Sequence, residues 1–153
     1  MIAALFASTA FATTFARPSE LAELAARSDY ALAGKVVSTE GVIRSGRIWT
    51  LARIDADDDG PDMDVWTLGG CVPEQNLCMT VAGSPEPKTG DDVVVFLTEG
   101  RVTGLAQGWF RVRDGVGVRD LSGLTFADGA APPARIDVSE LRGAIVAARA
   151  PKN

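Results

Sequence analysis

Glycine and proline recur throughout this chain, with sixteen glycines and eight prolines among 153 residues. Both residue types interrupt regular structure, glycine through its conformational freedom and proline because it lacks a backbone N–H. Such spacing favours many short strands joined by turns over a few long helices. The length, with 46% hydrophobic residues, allows one domain with one core.

The segments between these turn residues are rich in β-branched and aromatic side chains. The predicted strands are 30–43, 47–56, 63–68, 93–97, 102–105, 108–113 and 116–119, and 77–82 is a candidate for a further one. Five to seven antiparallel strands close most economically into a barrel, because closure removes exposed edges. We therefore predict a mainly β fold: a small OB-like antiparallel barrel, closed or partly open, with a short N-terminal helix and a C-terminal helix. A small sandwich is the alternative.

The chain divides into four predicted segments. Residues 1–12, MIAALFASTAFA, have the apolar character of a signal peptide and end in an A-x-A site, with a cut after Ala16 as an alternative. Residues 17–120 form the predicted barrel domain with its leading helix. Residues 121–136 are predicted to be a surface connection, since Gly, Ala, Ser and Pro dominate there. Residues 137–150 are predicted to form a helix that packs on the barrel and is capped by Asp137.

A secreted or periplasmic location follows from the signal segment, which is too short to span a bilayer. The alternative is a buried N-terminal helix of a cytosolic protein. In an oxidising compartment, Cys71 and Cys78 are expected to form a disulfide that closes a small loop. Free thiols and a redox pair are the other possibilities, although a redox pair usually has C-x-x-C spacing.

Histidine is absent, which excludes a Ser-His-Asp hydrolase, a Cys-His protease and a histidine-ligated metal site. Clustered Lys and Arg, which nucleic acid would require, are also missing. The nearest group is Arg111, Arg113 and Arg119, and alternation with valines predicts that they form the solvent face of two strands. We predict no enzyme activity, no nucleic-acid partner and no membrane span.

Six of the twenty acidic residues fall between Asp55 and Asp64. The string D-x-D-x-D-G resembles the first half of a calcium loop, which makes calcium the one possible cofactor. The candidate ligands are Asp55, Asp57, Asp59 and Asp62. Position twelve of such a loop is Trp66 rather than a glutamate. A solvated acidic turn without an ion is the alternative interpretation.

Aromatic residues offer a second candidate site. Trp109 and Phe110 adjoin in one predicted strand, so one of them is expected to face inward and the other outward, where an exposed aromatic could form a ligand platform. Trp49 and Trp66 present the same choice. Aromatics of this kind more often fill the core and close the ends of a barrel, and this is the interpretation we favour over the platform.

Several sequence segments of the chain resemble those of a group of small exported bacterial β-barrel proteins that have no assigned activity. These segments are ALAGKVV (31–37), GG (69–70), VAGSP (81–85), GDDVVVFL (90–97) and GLAQGWFRV (104–112). More distantly, the barrel outline is similar to netrin and metalloprotease-inhibitor modules of the OB type. Such inhibitors present an N-terminal cysteine to a metal, whereas Thr13 or Arg17 would begin the mature chain here. The resemblance implies a fold rather than a reaction.

Together these patterns predict a non-enzymatic, exported β-barrel binding module whose partner is another protein. The ligand and the oligomeric state are not indicated by the sequence. Two alternatives from other classes are a calcium-stabilised structural domain and a secreted protease inhibitor.

Overall fold

A computed structural model describes residues 13–58, 60–127 and 129–152, so the predicted signal segment 1–12 and Asp59 lie outside the described residues. The described chain is mainly β, with two helices, α1 (Leu21–Arg27) and α2 (Val138–Arg149). The strands are β1 (Thr14–Ala16), β2 (Tyr30–Arg44), β3 (Arg47–Ala56), β4 (Met63–Leu68), β5 (Gly70–Val72), β6 (Leu77–Met79), β7 (Asp92–Thr98), β8 (Arg101–Val102), β9 (Trp109–Arg113), β10 (Val116–Val118), β11 (Leu124–Phe126) and β12 (Arg135–Asp137).

One sheet of eight strands carries the fold, in the order β12-β10-β9-β7-β2-β3-β4-β8. Strand β8 also pairs with β7, so that β7, β2, β3, β4 and β8 form a closed ring of strand pairings. The ring depends on the long strand β2, which pairs with β7 through its first half and with β3 over most of its length. A register shift between Val36 and Ser38 marks a β-bulge, which bends the strand so that it can serve both partners.

Strand β7 is buried on both faces, as its uninterrupted apolar sequence predicts. Val93, Val95 and Leu97 pack with residues of β2, β3 and β4 inside the ring. Val94 and Phe96 face the other way, into a second cluster formed with α1 and α2. The described residues therefore form two hydrophobic clusters, which are separated by one wall of the sheet.

The two predicted helices are present, and they pack against each other on the outer side of this wall. The backbone N–H of Ser139 donates to Asp137 Oδ1 at 2.7 Å, which confirms Asp137 as the N-cap of α2. Leu141 and Ile145 are the buried face of α2. No helix within the described ranges is long and apolar enough to cross a bilayer.

The surface connection predicted for 121–136 needs correction. It contains β11, which pairs in parallel with β1, and the start of β12, which pairs with β10. Leu124, Phe126 and Ile136 are buried. Composition gave no sign of these strands because each has only three residues and is held by a partner distant in sequence.

The predicted disulfide joins Cys71 to Cys78. The two residues lie directly opposite each other in the hairpin of β5 and β6, with Cα atoms 4.1 Å apart. This disulfide hairpin packs closely on β2, since a Cβ added to Gly41 would lie 1.8 Å from the carbonyl oxygen of Cys71. Only glycine allows the hairpin backbone to approach so near.

Candidate functional site

A groove of about 590 Å³ lies at one end of the ring, where the β2–β3 and β7–β8 turns meet. We call it the arginine–tryptophan groove. Its lining consists of Arg44, Ser45, Arg47, Trp49, Trp66, Glu99 and Arg101. Both tryptophans are half-buried, and the charged residues are exposed.

Sheet register brings the two tryptophans together. Trp49 lies opposite Leu68, and Trp66 lies opposite Leu51, so the indoles share the outer face of β3 and β4 as diagonal neighbours. Diagonal neighbours of an antiparallel pair lie about 7–8 Å apart. The groove therefore has a fixed pair of aromatic rings as its floor.

Tight turns place the arginines at the groove. Ser45 and Gly46 both have positive φ values, 50° and 72°, which close the β2–β3 hairpin and place Arg44 opposite Arg47. On the other side, the turn at Glu99 and Gly100 leads into β8. This turn is fixed by the backbone N–H of Glu99, which donates to Asp29 Oδ2 at 3.0 Å, and it brings Arg101 beside Trp66.

Each indole carries a guanidinium on its face. Arg44 Cζ lies 4.7 Å from the ring centre of Trp66, and Arg101 Cζ lies 5.7 Å from that of Trp49. Such contacts are cation–π interactions, and they hold a long side chain in one orientation. A guanidinium stacked in this way still presents its N–H edge, which suits the two oxygens of a carboxylate or phosphate.

The groove is a local concentration of positive charge in an acidic protein. The whole chain has a formal charge of -5, whereas the groove contains three arginines and the single carboxylate of Glu99. Ion pairs between described residues involve other cations, such as Arg53 with Asp64 and Arg149 with Asp58, and none involves Arg44, Arg47 or Arg101. These three cations are available to a ligand.

The aspartates between Asp55 and Asp64 resemble a calcium loop in sequence, but two of them form ion pairs in the structure. Asp58 accepts from Arg149 Nη1 at 2.5 Å, and this hydrogen bond is the main reason that its pKa is lowered. Asp64 accepts from Arg53 Nε at 2.9 Å, which likewise lowers its pKa. The segment therefore supplies ion pairs to α2 and to β3.

The candidate calcium ligands do not come together as a metal site in the described part of the chain. Asp55 lies on β3, Asp57 follows that strand, and Asp62 precedes β4. No three histidine, cysteine, aspartate or glutamate residues among those described are close enough to hold a metal ion. Asp59, the fourth candidate, lies outside the described residues.

Trp109 and Phe110 lie in the core, as the favoured interpretation has it, and do not form the possible ligand platform. The side chains are only 3% and 0% exposed, respectively. Phe110 packs edge-to-face with Phe96 under the helices, at a centroid distance of 6.2 Å, and Trp109 belongs to the cluster inside the ring. Alternation along β9 does separate the two rings, but both faces of this strand are covered.

Trp109 nevertheless lines a small pocket of about 210 Å³, next to segment 80–86. Its indole Nε1 is buried and has no hydrogen-bond partner among the described residues. A larger cleft of about 620 Å³ lies between the disulfide hairpin and residues 84–88. Cys71 and Cys78 are among the residues that line this cleft, so the disulfide is part of its lining.

Arg119, predicted to face solvent, is 2% exposed. Burial lowers its pKa to about 10. Its Nε donates to the carbonyl oxygen of Pro133 at 2.9 Å, and its Nη1 donates to those of Gln107 at 2.9 Å and Ser19 at 3.3 Å. Its Nη2 is unpartnered within the described ranges. Arg119 therefore joins three segments of the chain, and its role is structural.

Compared with protein families, with curated proteins and with solved structures, the chain matches none.

Proposed function

We propose that the chain is an exported, non-enzymatic binding module, an OB-like barrel that holds an anionic ligand in the arginine–tryptophan groove. The closed ring of strand pairings supports the barrel, and the Cys71–Cys78 disulfide supports export, since disulfides persist in oxidising compartments.

A single observation supports the ligand assignment. Two guanidinium groups, each stacked on an indole, lie beside a third arginine. None of these three arginines has a carboxylate partner among the described residues. Gathering like charges costs free energy, and an anion that bridges them offsets this cost. The indoles hold Arg44 and Arg101 in place, so that less side-chain entropy is lost when a ligand binds.

The same groups support binding rather than catalysis. Guanidinium stays protonated at neutral pH, so the three arginines can hold an anion but cannot exchange protons with it. The one titratable carboxylate of the groove is Glu99.

A fluorescence titration tests this proposal. Poly-L-glutamate, added to the purified protein at low salt, is expected to change the indole emission, because its carboxylates bind the guanidinium groups that lie on Trp49 and Trp66 and change the charge beside both rings. Added salt should weaken binding by screening the charges. The double variant Arg44→Ala, Arg101→Ala should lose at least about tenfold in affinity.

Arg113→Ala is the matched control, since Arg113 is an exposed arginine outside the groove. It should bind poly-L-glutamate as the parent protein does. Circular dichroism would establish that both variants are folded. If the double variant binds as tightly as the parent protein, the groove is not the binding site.

A further inference from the structure

The two guanidinium–indole pairs have a spacing that a ligand must match. Trp49 and Trp66, which carry these pairs, are diagonal neighbours on adjacent strands, so that their Cα atoms are about 7–8 Å apart. In an extended peptide, side chains on one face recur every second residue, at about 6.6–6.8 Å. Neighbouring side chains on one face of a helix are closer, at about 5–6 Å. The groove thus fits acidic side chains on alternate residues of an extended segment.

The way in which the indoles are covered favours a carboxylate over a base or a sugar. Arg44 already occupies the face of Trp66, and Arg101 that of Trp49. A nucleotide base that stacks on either of these faces would have to displace the cation, although stacking gives single-strand binders much of their affinity. A carboxylate instead approaches the guanidinium in its own plane, at the N–H edge, and leaves the stack intact.

Glu99 also shapes the preference, because its carboxylate lines the groove beside the arginines. It repels an incoming anion and lowers the affinity for any single carboxylate. A ligand with two or more carboxylates compensates by engaging both stacked arginines at once. A short acidic segment therefore fits this groove better than an isolated acid.

We infer that the partner is a protein segment bound in extended conformation, with aspartate or glutamate on alternate residues engaging Arg44 and Arg101. This inference rests on the proposed function of the groove. Charge complementarity selects an acidic partner, and the spacing of the paired tryptophans selects its conformation.

Two peptides of identical composition test the inference. One alternates aspartate with threonine over twelve residues. The other repeats Asp-Asp-Thr-Thr three times, so that it holds the same six aspartates but no two of them lie two residues apart. Fluorescence anisotropy with the full chain should give a dissociation constant for the alternating peptide about fivefold to tenfold lower, because only this peptide places carboxylates at the required spacing in one extended register. Glu99→Gln should tighten binding of the alternating peptide at least about twofold.

The outcomes are distinguishable. Equal affinity for the two peptides overturns the extended register but leaves an anion-binding groove. A single-stranded oligodeoxynucleotide that binds more tightly than either peptide overturns the protein partner. If no acidic peptide binds and poly-L-glutamate also fails, the proposed function falls together with this inference. Weaker binding by Glu99→Gln would show that Glu99 holds the ligand, which contradicts its assigned repulsive role.

Discussion

The guanidinium carbon of Arg119 lies 5.1 Å from the centre of the Phe110 ring, with both side chains inside the protein. The ring covers one face of the cation, and three backbone carbonyls accept its hydrogen bonds. We predict that Arg119→Met lowers the free energy of unfolding by about 3 kcal/mol, because the carbonyls lose their donors while they stay buried. Chemical denaturation measures the change.

Arg113→Met is the control for this prediction. Arg113 is exposed, so the substitution should alter the free energy of unfolding by no more than about 0.5 kcal/mol. Equal stability of the two variants would mean that the free-energy cost of burying the charge of Arg119 equals the stabilisation that its hydrogen bonds provide.

The disulfide gives a second prediction. Replacing Cys71 and Cys78 together by serine should lower the free energy of unfolding by about 2–3 kcal/mol, the chain-entropy value for so short a loop. Denaturation of the double variant and of the oxidised parent measures this difference. Reduction of the parent should reproduce the effect, and an unchanged midpoint in both experiments would show that the hairpin is held by its packing on Gly41 alone.

Stability in acid should depend on Asp58. Because Arg149 lowers the folded-state pKa of Asp58 below the ordinary 3.8, folding favours the ionised carboxylate. This contribution is complete above the ordinary pKa and is lost as the pH falls through the lower, folded value. Asp58→Asn should therefore destabilise the protein at pH 6, and the difference from the parent protein should shrink as the pH falls below 3.8. NMR titration of the Asp58 carboxyl should give the lowered pKa directly.

Indole accessibility separates the three tryptophans. Trp109 is buried inside the ring, whereas Trp49 and Trp66 line an open groove. Acrylamide should quench Trp109 weakly in the variant Trp49→Phe, Trp66→Phe, and should quench the remaining indoles more strongly in Trp109→Phe. Equal quenching constants in the two variants would contradict the placement of these side chains.

Local patterns were sufficient for much of the fold. The apolar run of β7, the turn at Ser45 and Gly46, the cap at Asp137 and the pairing of Cys71 with Cys78 all depend on residues close in sequence. By contrast, β11 and β12 owe their existence to partners far along the chain. Three residues are too few to show a period.

The candidate site was harder to predict, for a different reason. Alternation shows which residues share a face of a strand, but it does not show which face is covered. Alternation therefore left a platform at Trp109 and Phe110 open beside the favoured core placement, and only the structure shows that β9 has a cluster on each side. Trp49 and Trp66 could be placed together only from the register of the β3–β4 hairpin. Arg101 reaches them through the β4–β8 contact that closes the ring, which no local pattern reveals.

The double burial of β7 has a thermal consequence. Val94 contributes to the cluster beneath the helices, and Val95, its neighbour in the same strand, contributes to the cluster inside the ring. If either cluster loses its order, the strand that supports the other is lost too. Both should melt in one cooperative transition, with equal calorimetric and van't Hoff enthalpies. The layer formed by α1 and α2 then has no melting temperature of its own, and heating does not unfold it while the sheet stays folded.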